Sequence, residues 1–158
     1  MEGFRLKSLF TRNTATAPQE RRARERVKLV GEYTVLIVDD SKTVVHALKT
    51  VLEQAGYSTL TAMSGEQALE MTRTHKPDVV LMDVIMPGMT GFQATRILHK
   101  DPLTTHIPVV IISASEQPTE KAWSTRLGAK GFLPKPIQRG QLFPCLEELL
   151  ELNILAQA

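Results

Sequence analysis

The chain has 158 residues, 42% hydrophobic and 23% charged, which is enough for one domain with a real core plus an extension. No apolar run approaches the ~20 residues that span a bilayer, and the single cysteine, Cys145, excludes an internal disulfide. The net charge of +2 is uneven: residues 1–32 hold eight Lys/Arg against four acids, a net +4, leaving −2 for the remainder.

Residues 1–32 read as a basic, flexible amino-terminal arm. Its first residues lack the apolar segment and cleavage site of a secretory signal, so a cytoplasmic location is expected. Positions 11–28 carry many charges and few apolar residues, too few to offset chain entropy. Leu6, Leu9 and Phe10 fall on one face of a helix over Met1–Arg12, with Arg5, Lys7 and Arg12 outside it. That segment is either a membrane-surface or partner-docking helix or an ordinary disordered terminus.

From Tyr33 onward, short apolar runs alternate with helical periodicity. Strands are expected near 34–39, 57–62, 78–83, 108–113 and 131–134; the first, third and fourth are near-continuous aliphatic runs, as in strands buried on both faces. The first helix takes Ser41 as N-cap, buries Val44, Leu48, Val51, Leu52 and Ala55, and stops at Gly56. The second opens on Ser64-Gly65-Glu66-Gln67, a capping-box pattern, and ends at His75-Lys76-Pro77. The third runs from about Gly91 to Lys100 and the fourth from about Thr119 to Leu127, before Gly128. The fifth occupies 141–153, with Gly140 and Pro144 pointing to a late start or a kink, and 154–158 form a tail. Alternation of strands and helices over 33–153 implies right-handed crossovers and a doubly wound α/β domain.

The chemistry gathers at the strand ends. Asp39-Asp40 follow the first strand, Asp83 closes the third, Ser113 closes the fourth, and Lys135-Pro136 follow the fifth. The carboxyl edge of an open parallel sheet is where α/β folds hold ligands. Two carboxylates ~4 Å apart repel by roughly 4 kcal/mol at an effective dielectric constant of about 20, so three in one pocket call for cations. Such a set suits a hard divalent ion and a phosphoryl group. Each residue alone has a plainer reading: a helix start, a turn, a strand-end cap, a surface charge. The ordered convergence of all of them favours a site. His46, His75, His99 and His106 show no ligand spacing, Trp123 shares a helical face with Leu127 and reads as core or edge packing, with exposure on an output surface as the alternative, and Cys145 reads as a small hydrophobe.

The acidic pair, Asp83 with Pro87 four residues later, Ser113-Ala114 and Lys135-Pro136, taken in order, make Tyr33 to Leu150 resemble a receiver domain of the two-component response regulators. The stretches Gly91–Arg96 and Lys121–Trp123 are similar to those of single-domain regulators of type IV pilus twitching motility and chemotaxis. The resemblance implies a flavodoxin-like sheet of five parallel strands, order 2-1-3-4-5, flanked by five helices. It implies that Asp83 accepts a phosphoryl group from a sensor histidine kinase. Mg2+ is then held by Asp40 and Asp83 directly, by Asp39 directly or through water, and by the backbone carbonyl of Ile85. Lys135 and Ser113 contact the phosphoryl oxygens, and the Lys135-Pro136 bond is cis. Phe132 is either a switch aromatic or a core aromatic. Ile85 departs from the polar residue that fast self-hydrolysing members often carry there, and Ser115 supplies only a short hydroxyl at the other flanking position, which implies slow loss of the phosphoryl group. The implied role is signalling and not enzymatic turnover of a substrate. With no DNA-binding segment after the fifth helix, output is expected by contact with a downstream protein through the helix 4–strand 5–helix 5 face. The alternatives are a phosphate sink for a shared kinase, and a receiver that regulates docking of the basic arm to a membrane or nucleic acid.

Overall fold

The aliphatic runs form five parallel strands in the computed structural model, which describes residues 33–157 and the side chains through Glu151. The arm at 1–32 lies outside the described residues. The strands are β1 Thr34–Val38, β2 Ser58–Ala62, β3 Val79–Asp83, β4 Val109–Ser113 and β5 Gly131–Pro134, in the order β2-β1-β3-β4-β5. Each lies within one residue of its predicted bounds. Residues of β1, β3 and β4 are almost wholly buried, because helices cover both faces, whereas the edge strands β2 and β5 are partly exposed.

Side chains alternate across the sheet, so each strand feeds two cores. On one face Val35, Ile37, Leu81 and Ile112 pack against α1 (Lys42–Gln54) and α5 (Arg139–Gln157) through Leu48, Leu52, Leu142 and Leu146. On the other, Leu36, Val38, Met82 and Ile111 pack against α2 (Gly65–His75) and α3 (Gly91–Lys100) through Leu69, Ala94 and Leu98. Burying one such aliphatic side chain stabilises by about 1.5–3 kcal/mol, so the paired cores dominate the fold. Among the described residues no helix is long and apolar enough to cross a membrane.

Several local expectations are corrected. In α1 the buried ridge is Val45, Leu48 and Leu52, and Ala55 is exposed as the C-cap before Gly56, which turns the chain at φ 97°. At α2, Ser64 accepts from the Gln67 N–H, but the Gln67 side chain accepts from Met63, so the box is not closed. The reciprocal box sits at α3, where Thr90 and Gln93 cap each other. The fourth helix, α4, is Pro118–Arg126; it buries only Ser124, and Trp123 is 53% exposed, the alternative to core or edge packing. Finally, α5 starts at Arg139 with Pro144 inside it. The missing N–H falls opposite exposed Gly140, whose carbonyl water can satisfy, so the proline is tolerated early in the helix. The helix continues through 154–157, assigned above to a tail, because neither Gly nor Pro follows Pro144 to stop it.

Candidate functional site

Parallel register brings the strand ends level. Val38 pairs with Met82, Asp83 with Ile112, and Ser113 with Pro134, so Asp39, Asp83, Ser113 and Lys135 meet at one edge. Asp39 is fixed by the turn into α1: its Oδ1 accepts the Ser41 N–H at 2.9 Å. Asp40, next in the chain, is exposed at the rim. After Asp83 the chain loops through Ile85 and Pro87 and returns, with the Gly91 N–H donating to the Val84 carbonyl at 2.9 Å. A Cβ at position 91 would collide with the Asp83 carbonyl oxygen, which is why glycine stands there. At the end of β5 the Lys135 N–H donates to the Ser113 carbonyl at 2.8 Å, and the Lys135-Pro136 bond is cis.

These elements wall a cleft of about 500 Å³ lined by Asp39, Asp40, Ser41, Asp83, Val84, Ile85, Ser113, Ala114, Ser115, Glu120 and Lys135. The Lys135 ammonium lies 2.7 Å from Asp83 Oδ1 and 3.2 Å from Asp39 Oδ2. Buried Ser113 donates its O–H to Glu120 Oε1 at 2.6 Å and accepts the Ser115 N–H at 3.0 Å. Ile85 is 78% exposed over the opening. Phe132 is half-buried and packs with the α2–α3 core, away from the cleft wall. Pro87 and Pro136 are exposed in the two turns, and all four histidines are exposed.

Burial holds the Asp83 carboxyl above its usual range; the Lys135 hydrogen bond opposes this and the Asp39 charge reinforces it. Burial pulls the Lys135 ammonium down, but its bonds to Asp83 and Asp39 outweigh that and hold it above the usual lysine value. One lysine does not neutralise the pocket. Carboxylate oxygens of Asp39, Asp40 and Asp83 lie within 4.8 Å of one another, an all-oxygen set that fits a hard divalent cation.

The sequence reading placed Asp39, Asp40, Asp83, Ile85, Ser113 and Lys135 in one site, and all six line the cleft. It missed Glu120 and the close approach of Gly91. The only sequence signal for Glu120 is its place in the first turn after Pro118, which marks a helix start and not a reach to β4.

Residues 35–147 match the model of the response regulator receiver domain, and the chain belongs to that family of two-component signalling proteins. It is similar to Protein PilH of Pseudomonas aeruginosa, 45% identical over 116 residues, covering 73% of this chain and 96% of that protein. Among solved structures, it is 31% identical to the Vibrio cholerae chemotaxis protein CheY4, with a TM-score of 0.70 over 74% of this chain and 98% of the other. A Francisella response regulator receiver domain is 30% identical, with a TM-score of 0.71 over 76% and 98% of the two chains.

Proposed function

We propose that this receiver domain, spanning 33–153, accepts a phosphoryl group from a sensor histidine kinase onto Asp83 and signals by protein contact. The observation that carries the reading is the Lys135 ammonium held between Asp83 and Asp39, at 2.7 and 3.2 Å, beside the third acid, Asp40. A carboxylate oxygen of Asp83 attacks phosphorus, the phosphorus–nitrogen bond to the kinase histidine breaks, and the imidazole leaves with the bonding pair. Asp40, Asp83, the Ile85 carbonyl and Asp39, directly or through water, would hold Mg2+, which when bound would neutralise the equatorial oxygens. Lys135 moves from Asp83 to a phosphoryl oxygen as a point charge on a flexible stem. Ser113 donates its O–H to another.

The output face is α4, β5 and α5, where Trp123 stands 53% exposed. Likeness to PilH and to a chemotaxis protein favours a cytoplasmic single-domain regulator of the twitching-motility and chemotaxis type. The test is incubation of the full chain with a small acyl phosphate and Mg2+. Intact mass should rise by one phosphoryl group, and the adduct should vanish in Asp83→Asn or on chelation. Unchanged labelling in Asp83→Asn overturns the assignment.

A further inference from the structure

We propose that Glu120 is the resting partner of Ser113, and that phosphorylation of Asp83 takes this hydroxyl away and unlatches the first turn of α4. The inference rests on the reading of Asp83 as phosphoacceptor.

A serine hydroxyl carries one hydrogen, so it serves one acceptor at a time. In this structure that acceptor is Glu120 Oε1, at 2.6 Å, a short bond of the charge-assisted kind. Ser113 is 3% exposed, so its oxygen is not free to turn to bulk water for a substitute. Ser113 and Glu120 both line the cleft that holds Asp83, where a phosphoryl oxygen would compete for the same proton. A phosphoryl group also brings negative charge, and Glu120, stripped of its donor, then faces like charge across the cleft.

The amino end of α4 has little else to hold it. Gln117, its N-cap, makes no side-chain capping bond, Pro118 follows, and Glu120 is the acid of the first turn. Of the nine residues of α4 only Ser124 is buried. The Ser113–Glu120 bond thus ties the first turn to β4, and the Ser115 N–H hangs the intervening loop from the same oxygen at 3.0 Å. Turning the Ser113 O–H from Glu120 to a phosphoryl oxygen cuts that tie without disturbing the sheet.

The test uses the full chain, Mg2+ and beryllofluoride as the phosphoryl probe, with affinities from calorimetry. Glu120→Ala should bind the probe about tenfold tighter, the scale of one charge-assisted hydrogen bond no longer broken on binding. Glu120→Gln, which keeps an acceptor oxygen without the charge, should fall between. In a Ser113→Ala background the gain from Glu120→Ala should disappear, since no proton is left to compete for. An equal gain in both backgrounds means bare charge removal and overturns the latch, as does no gain in either. Trp123, the one tryptophan of the chain, lies three residues beyond Glu120 and reports on the helix. Saturating probe should change its emission in the unmodified chain, and Glu120→Ala should show that change before the probe is added. Constant emission overturns the unlatching. If probe binding survives Asp83→Asn, or the unmodified chain does not bind it, the phosphoacceptor reading falls and the latch with it. If binding needs Asp83 but ignores Glu120, the latch alone falls.

Discussion

Ile85 stands two residues after Asp83 with 78% of its surface exposed, an aliphatic group at the mouth of an acidic cleft. It has no polar atom with which to orient an attacking water, and its bulk screens the proposed phosphoryl group. Ile85→Asn should therefore shorten the lifetime of phosphorylated Asp83, by about tenfold for each 1.4 kcal/mol taken from the barrier. Mg2+ affinity should stay nearly constant, because the proposed metal contact at this position is the backbone carbonyl. Decay of the mass-shifted species checks both parts; an unaltered lifetime excludes the side chain from water control. Asp40 leads to a second prediction. Asp40→Ala should weaken Mg2+ binding sharply and raise the melting temperature of the metal-free protein, because one of three mutually repelling carboxylates is gone. Thermal melts with and without Mg2+ should show the metal's stabilisation shrinking in the variant. At this scale Asp39, Asp83, Ser113 and Lys135 were legible because each ends or follows an apolar run. Glu120 and Gly91 were not: one reaches its partner across seven residues and a helix start, the other answers a carbonyl that only the folded chain brings near.

Among the elements, the helix ends divide into those that local chemistry specifies and those that packing decides. Thr90 and Gln93 close a reciprocal cap on α3, the helix whose first residue lies against Asp83. Thr90→Ala should cost about 1 kcal/mol in denaturant unfolding, the usual loss of an N-cap. The same four-residue pattern at Ser64 did not predict its own outcome, because Gln67 found the Met63 N–H instead. The start of α5 was misread for a physical reason: a proline removes one N–H, and near a helix start an exposed carbonyl tolerates the loss. That helix carries Phe143, which stacks on buried Tyr57 with ring centroids 6.4 Å apart. Burial, with the Glu147 and Tyr33 charges adding, pushes the Tyr57 hydroxyl up to about 12 from 10.0. Below the lower value both folded and unfolded states keep the phenol proton. Between the two values only the unfolded chain releases it, so stability should fall as pH rises through that window. Alkaline melts of the unmodified chain and Tyr57→Phe should diverge there, with the variant losing less.

For the molecule as a whole, the parallel strands and the two cores followed from alternating aliphatic runs and the strand order from the family resemblance, while the degree of attachment of each helix followed from neither. Four helices present aliphatic ridges to the sheet, and α4 presents Ser124 alone. That inequality has a consequence for how the protein opens. Amide hydrogens exchange through local openings whose cost tracks the apolar surface each opening exposes. Among the five described helices deuterium should enter 118–126 first, at openings far cheaper than global unfolding, and the amides of β1, β3 and β4 should exchange last. Equal protection of α4 and the central strands would contradict this order. A gradient of this kind lets one flank of the molecule sample other arrangements many times within the life of a single folded core.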